Sequence, residues 1–518
     1  MFIRNFPVRL TAFATAAMLA VCIALGSTPL HAADAVITNC ATDTALRNAV
    51  TSAGTGTITF NCGAKTIPMT SFIAVPNGSN YTIDGGNAIV LDGVNASAFF
   101  QVSTGAHLTV RHLSFIRGAF AGAHPLENFG TLTLLDVGIG TSNTGANGGV
   151  VWNSNVLDVT NVSFTDNVAA SQLLTAMGTA ILQEGGASTI RNTSFVNNQL
   201  SGTFGIGGAV AIQAGTSTIL DSLFDRNRGA DGGALSVNAG TQVTVTHSTF
   251  TGNIARYGGA IESTGELQVD FSTFVSNTAT AGEGGAIWVL GSDTDVTYSA
   301  FDGNTAAIHG GGISCNGNFL SIIHSTLSNN RAGILGSALN GGGIYSTCNL
   351  NLTNSTLSGN KAPNGGGGAL YQTNAGSANV VMVTFANNTA LFGAGVYNDG
   401  AGSSSLFLQQ SMLVNNKTGN CDGVITSFGN NVADDNNCAA LTQPGDLKLA
   451  NLPLAPLADN GGPTRTHLPL PGSAALNHTP AADCAFTIDQ RDARRPVAGL
   501  CDAGAVEAAM IYLPSIRQ

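Results

Sequence analysis

Charge is what this 518-residue chain has least of. Only 9 % of its residues are Asp, Glu, Lys or Arg, and 30 acids outnumber 19 cations for a net charge of −11. So few cations cannot neutralise a run of phosphates, which argues against nucleic acid as a partner. Aromatic residues make up only 6 %, and the repetitive middle of the chain shows no helical periodicity. The polar surface must therefore be mostly Asn, Ser, Thr and the 66 glycines, a composition suited to flat β surfaces rather than helices. Reactive signatures are missing as well. There is no Gly-x-Ser-x-Gly elbow, zincin motif or phosphate loop, and no Cys-x-x-Cys with a distant His, so zinc is not expected.

The N-terminus carries Arg4 and Arg9, an apolar stretch from Leu10 to Gly26, and a small-residue end at Ala32-Ala33. This is the pattern of a cleaved secretory signal over residues 1–33. The apolar run is short for a span, and no stop-transfer pattern follows it. Eight cysteines remain after removal of the signal. They fall in four local couples, Cys40 with Cys62, Cys315 with Cys348, Cys421 with Cys438, and Cys484 with Cys501. In a secreted chain these read as disulfides, with neighbour pairing preferred among the 105 connectivities that eight cysteines allow.

A phrase repeats. Aligning on its aromatic gives Phe164, Phe195, Phe224, Phe250, Phe274, Phe301, Leu327, Leu357, Phe385 and Met412, at intervals of 24 to 31 residues. Three residues later each copy has Asn: Asn167, Asn198, Asn227, Asn253, Asn277, Asn304, Asn330, Asn360, Asn388 and Asn415. Five residues before the aromatic each copy is apolar, from Val159 to Phe407, and six consecutive copies have Ser two residues before it, Ser222 to Ser355. A Gly-Gly phrase then follows, as in Gly258-Gly259-Ala260-Ile261.

A period near 27 residues with three short strand-like runs describes a coil, and stacked coils form an all-β, right-handed parallel β-helix. Parallel strands lie about 4.8 Å apart, so equivalent residues stack directly over one another. The aromatics and Val/Ile columns then become internal stacks, and the Asn column an amide ladder at a turn. The expected organisation is a signal at 1–33, an N-terminal cap at 34–82, a solenoid of 12 to 14 coils at 83–420 and a C-terminal cap at 421–518. The rod would be roughly 60 Å long.

The phrase Phe-x-x-Asn followed by Gly-Gly-Ala-Ile resembles the repeat of polymorphic outer-membrane-protein adhesins, and the solenoid resembles the pectin-lyase-like superfamily. The C-terminal run Asp459-Asn460-Gly461-Gly462-Pro463-Thr464, Asp489-Gln490-Arg491, Arg495-Pro496 and Cys501-Asp502-Ala-Gly504-Ala-Val506-Glu507 is similar to the choice-of-anchor Q domain. The resemblance implies a bacterial protein that is secreted or held at the cell surface. The eleven residues after Glu507 are too few to span a bilayer, and no autotransporter barrel is recognisable.

Chemistry has few places to reside. A polysaccharide lyase on this fold needs carboxylates for Ca²⁺ and a basic residue on one face. The best cluster is Asp225, Arg226, Arg228 and Asp231 with Arg256 and Glu262 one coil later, and a second is Asp293, Asp295 and Asp302. Solvated turn residues explain both clusters equally well, so the leading expectation is a non-enzymatic adhesion, binding or structural role. No cofactor is expected, with Ca²⁺ entering only under the lyase alternative. Insertions between the Asn and the Gly pair, at Val168 to Met177, Gln199 to Ile206 and Arg331 to Asn340, mark one corner of the coil as a candidate face for an extracellular glycan or protein.

Overall fold

The computed structural model describes residues 34–51, 54–119, 124–144, 148–170, 177–201, 206–333, 339–374, 376–497 and 499–508. The signal at 1–33, the interiors of the three corner insertions and the last ten residues lie outside the described residues.

The chain forms a right-handed parallel β-helix. Its coils contribute to a 14-stranded front sheet, a broad sheet and a narrow six-stranded sheet, with long parallel registers throughout. One coil shows the construction. Leu235–Val237 lies in the front sheet and Gln242–Thr246 in the broad sheet. The chain kinks at His247, whose φ is +49°, and Thr249–Thr251 continues the broad sheet. Asn253 then turns it into the two-residue strand Ile254–Ala255 of the narrow sheet, and Gly258 returns it to the front sheet at Ile261. Gly258 has φ +54°, and a Cβ there would lie 2.3 Å from the Ile261 carbonyl oxygen. Only glycine fits this bend.

The columns expected from the repeat are present. Phe164, Phe195, Phe224, Phe250, Phe274 and Phe301 form one buried stack, with ring centroids 4.6–5.0 Å apart and planes within 10°. Each ladder Asn from Asn167 to Asn388 is fully buried. Asn253 Nδ2 donates to Asn277 Oδ1 at 3.0 Å and to the Phe224 carbonyl at 2.9 Å, while Asn277 Oδ1 also accepts from the Asn253 backbone N–H. The amides thus close the bonds that the turn leaves open. The Ser column does the same at the kink: Ser272 Oγ accepts from the Ser248 N–H and donates to the Asp270 carbonyl.

The last coil needs a correction of one residue. Leu413, not Met412, lies over Phe385, and Leu408, not Phe407, lies over Val380. The final rung is Asn416, which accepts from both the N–H and Nδ2 of Asn388. Asn415 is instead a left-handed turn residue at φ +55°. The phrase here lacks its Phe and has two successive asparagines, so alignment on Met412 slipped by one, and a one-residue slip reverses every face. Phe407 consequently stands outside, stacked on Phe428 at 5.2 Å.

Both ends of the core are covered. At the N-terminus, parallel pairing reaches back to Ala35–Ile37 on Thr55–Phe60, and helix α1 (Thr44–Val50) buries Leu46 and Val50. Arg47 holds this cap by donating to Asp43 at 2.6 Å and to the Phe72 carbonyl at 2.8 Å. At the other end, Cys438 and Leu441 enter the core. The cysteines pair as Cys40–Cys62, Cys315–Cys348, Cys421–Cys438 and Cys484–Cys501, as expected of a chain folded in an oxidising compartment.

After this plug the chain runs back along the flank of the broad sheet. The outward residues of Thr249–Thr251 and Thr273–Val275 are half-exposed. Those of Thr326–Ser328, Thr356–Ser358, Thr384–Ala386 and Met412–Val414 are buried, because the C-terminal segment lies over them. Gln490 is its peg: Nε2 donates to Thr326 Oγ1 at 2.8 Å and Thr464 Oγ1 at 2.9 Å, and Oε1 accepts from Thr356 Oγ1 at 2.6 Å. Asp489, wholly buried, receives Arg491 at 2.7 Å and the Glu507 N–H at 2.9 Å. The Asp-Gln-Arg motif is therefore a docking device.

Candidate functional site

The front sheet supplies an outer face of a different character. In each three-residue strand the first and last side chains enter the core, so the middle one faces outward. From Phe100–Val102 onward these middle residues stack in register as Gln101, Glu127, Trp152, Leu182, Ala211, Ser236, Glu262, Trp288, Ser314, Tyr345, Tyr371, Tyr397 and Asp422. This is a continuous lane along the rod, and both tryptophans of the chain stand in it.

A second file borders the lane. The residue before the Gly phrase is Asp231, Tyr257, Glu283, His309 and Asn340 in five successive coils, and Phe392 stands before Gly393-Ala394 further on. Each of four such residues packs on the lane residue of the next coil. Tyr257 stacks on Trp288 at 4.5 Å, Glu283 Oε2 accepts from Ser314 Oγ at 2.8 Å, and His309 stacks on Tyr345 at 4.3 Å. Asp231 occupies the equivalent place beside Glu262. Gly232 confirms the proximity, since a Cβ there would come within 3.1 Å of the Glu262 amide nitrogen.

Glu262 has the most unusual environment. It is 8 % exposed and accepts a 2.7 Å hydrogen bond from Ser236 Oγ. Burial pushes its carboxyl up to about 7, with repulsion from Asp231 adding to the effect and the Ser236 bond opposing it. Burial also raises Asp231, and the Arg256 guanidinium pulls it back. Arg256 reaches over the Tyr257 ring at 5.8 Å and lines, with Arg228 and Thr280, a cleft of about 140 Å³ behind this bank.

The structure thus gathers Asp231, Arg256 and Glu262 and places Arg228 across that cleft. Asp225 does not join them. It ends the strand Leu223–Asp225 in the broad sheet and pairs with Arg226 at 2.8 Å, because the buried Asn227 corner separates it from Asp231. The second cluster also divides. Asp293 and Asp295 face a broad-sheet cleft of about 400 Å³ with Glu266, whereas Asp302 meets Arg465 of the C-terminal segment at 3.2 Å. Among the described residues no group of three or more His, Cys, Asp or Glu could hold a metal ion.

Sequence reasoning missed the lane itself. Its tyrosines were visible as the residue directly after Gly-Gly-Ala-Ile or its variants, at Tyr345, Tyr371 and Tyr397, but attention to what repeats passed over what varies within the repeat. Tyr345 and Tyr371 rings lie 5.6 Å apart and Tyr371 and Tyr397 rings 5.0 Å, with exposed Phe392 tilted against Tyr397 at 4.9 Å. Tyr371 donates to Asp399 Oδ2 at 3.1 Å. Burial and then nearby carboxylates hold these phenols above their ordinary range, Tyr345 at about 12.

The sequence matches no protein-family profile and no curated protein. Among solved structures it is similar to a PL6 alginate lyase determined in complex with a trisaccharide, at 10 % identity over 85 % of this chain and 86 % of that one, with a TM-score of 0.26. A likeness of that size carries no inference about activity. The β-helix rests on the strand register described above. Among the described residues no helix is long and apolar enough to cross a membrane.

Proposed function

We propose that this protein is a secreted, surface-acting β-helix that binds glycan along the front-sheet lane, in an adhesive or recognition role. One observation carries the reading: the lane, a straight file of Trp, Tyr, Ser and carboxylate side chains in register over successive coils. Polysaccharides are themselves linear repeats, and the groups of this file that reach the surface, Tyr345, Tyr397 and Asp422 among them, offer hydrogen-bonding partners along one line. The resemblance to choice-of-anchor Q proteins and the signal-like N-terminus support display outside the cell. The test is binding of soluble and insoluble glycans by the wild type and by a Tyr345→Ala/Tyr397→Ala variant of unchanged thermal stability. Equal binding by the two would refute the reading.

A second reading is favoured by Glu262 alone. A carboxyl held near neutrality beside a second carboxylate is the arrangement of a general acid and base for glycosidic cleavage. Under it, Glu262 would protonate the leaving oxygen and Asp231 would activate water. Release of reducing ends from a bound glycan, abolished in Glu262→Gln, would establish it in place of the binding role.

A further inference from the structure

The lane's charge points to the class of glycan it takes, an inference resting on the lane being the binding surface. Over its C-terminal half, from Trp288 to Asp422, every charged group that faces the lane among the described residues is acidic. Glu283 stands on the bank with its Oε2 held by Ser314 Oγ and by Asn316 Nδ2 at 2.7 Å. Asp399 sits beside the tyrosines, receiving Tyr371 and, at 2.6 Å, Thr373. Asp422 closes the file, exposed, and accepts from the Gly423 N–H. These donors are all neutral, so they orient the carboxylates without cancelling their charge. No ion pair of these three carboxylates occurs among the described residues. The one imidazole here, His309, accepts the Asn340 N–H at Nδ1 at 3.0 Å, and burial favours its neutral form, with Glu283 opposing. The cations nearest in the repeat, Arg331, Lys361 and Lys417, share one register column at the narrow-sheet corner, away from the front sheet.

A polyuronate brought onto this half would set its carboxylates against three others with no cation to offset them, in a chain of net charge −11. A glycan bearing free amines would meet complementary charge at each end and in the middle of the tyrosine file. We infer that the half-lane from Glu283 to Asp422 binds a cationic, amine-bearing polysaccharide, a glucosamine-type polymer, with the phenols contacting the sugar rings and the carboxylates the ammonium groups.

The experiment titrates the full chain at about pH 6, where the amines are charged, with hexamers of glucosamine, N-acetylglucosamine and galacturonate, and with hexalysine. The glucosamine hexamer should bind about tenfold or more tighter than its acetylated form, and the difference should shrink as salt rises from about 50 to about 300 mM. Glu283→Gln/Asp399→Asn/Asp422→Asn should remove that preference. Asp422→Asn alone, at an exposed position that cannot disturb folding, should reduce it. Equal or tighter binding of the acetylated hexamer, removed by Tyr345→Ala, would overturn the inference while leaving the lane intact. Preference for galacturonate, or hexalysine binding as tightly as glucosamine, would overturn it too. Binding of no oligosaccharide would remove the lane reading with it.

Discussion

Glu262→Gln is the most informative single substitution in the rod. The wild-type carboxyl is held at about 7 against an ordinary 4.5, which corresponds to about 3 kcal/mol of preference for the neutral form in the folded state. The unfolded chain has no such preference. A raised carboxyl binds more protons folded than unfolded, so folding loses stability as pH rises from the ordinary carboxyl value towards about 7, and the loss is complete above that. Gln is uncharged at every pH and nearly isosteric, able to accept from Ser236 through its Oε1. At pH 4 the two proteins should have similar stability. At pH 8.5 the variant should be more stable by about 3 kcal/mol, a figure that already includes the relieved repulsion with Asp231. Unfolding entropy of roughly 2.1 cal/mol/K per residue over about 475 residues converts this to about 3 °C in Tm, and to more if the middle coils melt as a smaller unit. Calorimetry of both proteins across this pH range measures the difference directly. A difference that stays flat with pH, or a variant less stable at pH 8.5, would refute the account of Glu262 as a buried carboxyl beside Asp231.

The other predictions concern the frame. Asn277→Ala takes the acceptor from the Asn253 backbone N–H and strips one bond each from Asn253 Nδ2, the Phe250 carbonyl and Asn304 Oδ1 in a fully buried ladder, and should cost about 3–5 kcal/mol by denaturant unfolding. Phe274→Ala opens a hole between the Phe250 and Phe301 rings and should cost about 3–5 kcal/mol by the same measurement. Gln490→Ala removes the peg that ties the C-terminal segment to Thr326 and Thr356, and should speed limited proteolysis between 451 and 507 while leaving the far-ultraviolet spectrum unchanged. His467 is buried, donating from Nδ1 to the Ala455 carbonyl and meeting Ser358 at Nε2, and burial holds its pKa below the ordinary value. The unfolded chain therefore takes up the proton first, and the segment's stability, present above about pH 6.5, falls as pH drops below it. Proteolysis of this segment should accelerate at pH 5, and His467→Gln should blunt that acceleration.

Much of the frame was legible because it is periodic. Phe250, Asn253, Ser248 and Gly258 recur at fixed offsets, and stacking at one spacing makes every offset a column whose chemistry can be read in one dimension. The reading failed where the period blurred. Asn415 and Asn416 stand side by side without a Phe to choose between them, and only the pairing of Leu413 with Phe385 decides. The candidate site was half legible. Asp231, Arg256 and Glu262 were marked as chemistry-bearing, but so was Asp225, three residues beyond Ser222 on the far side of the Asn227 corner, because linear proximity says nothing about which sheet a residue faces.

Composition and repeat thus determined that this chain stacks coils and which residues fill its interior. Those properties depend on neighbours one period away, and the sequence holds that distance. Tertiary structure alone decided that Gln490 docks on strands more than a hundred residues earlier, that Asp302 is used up by Arg465, and that Asp231 reaches Glu262 while Asp225 turns away. These depend on where a long, aperiodic segment comes to rest and on which side of a corner a side chain emerges, and neither is set by any local rule.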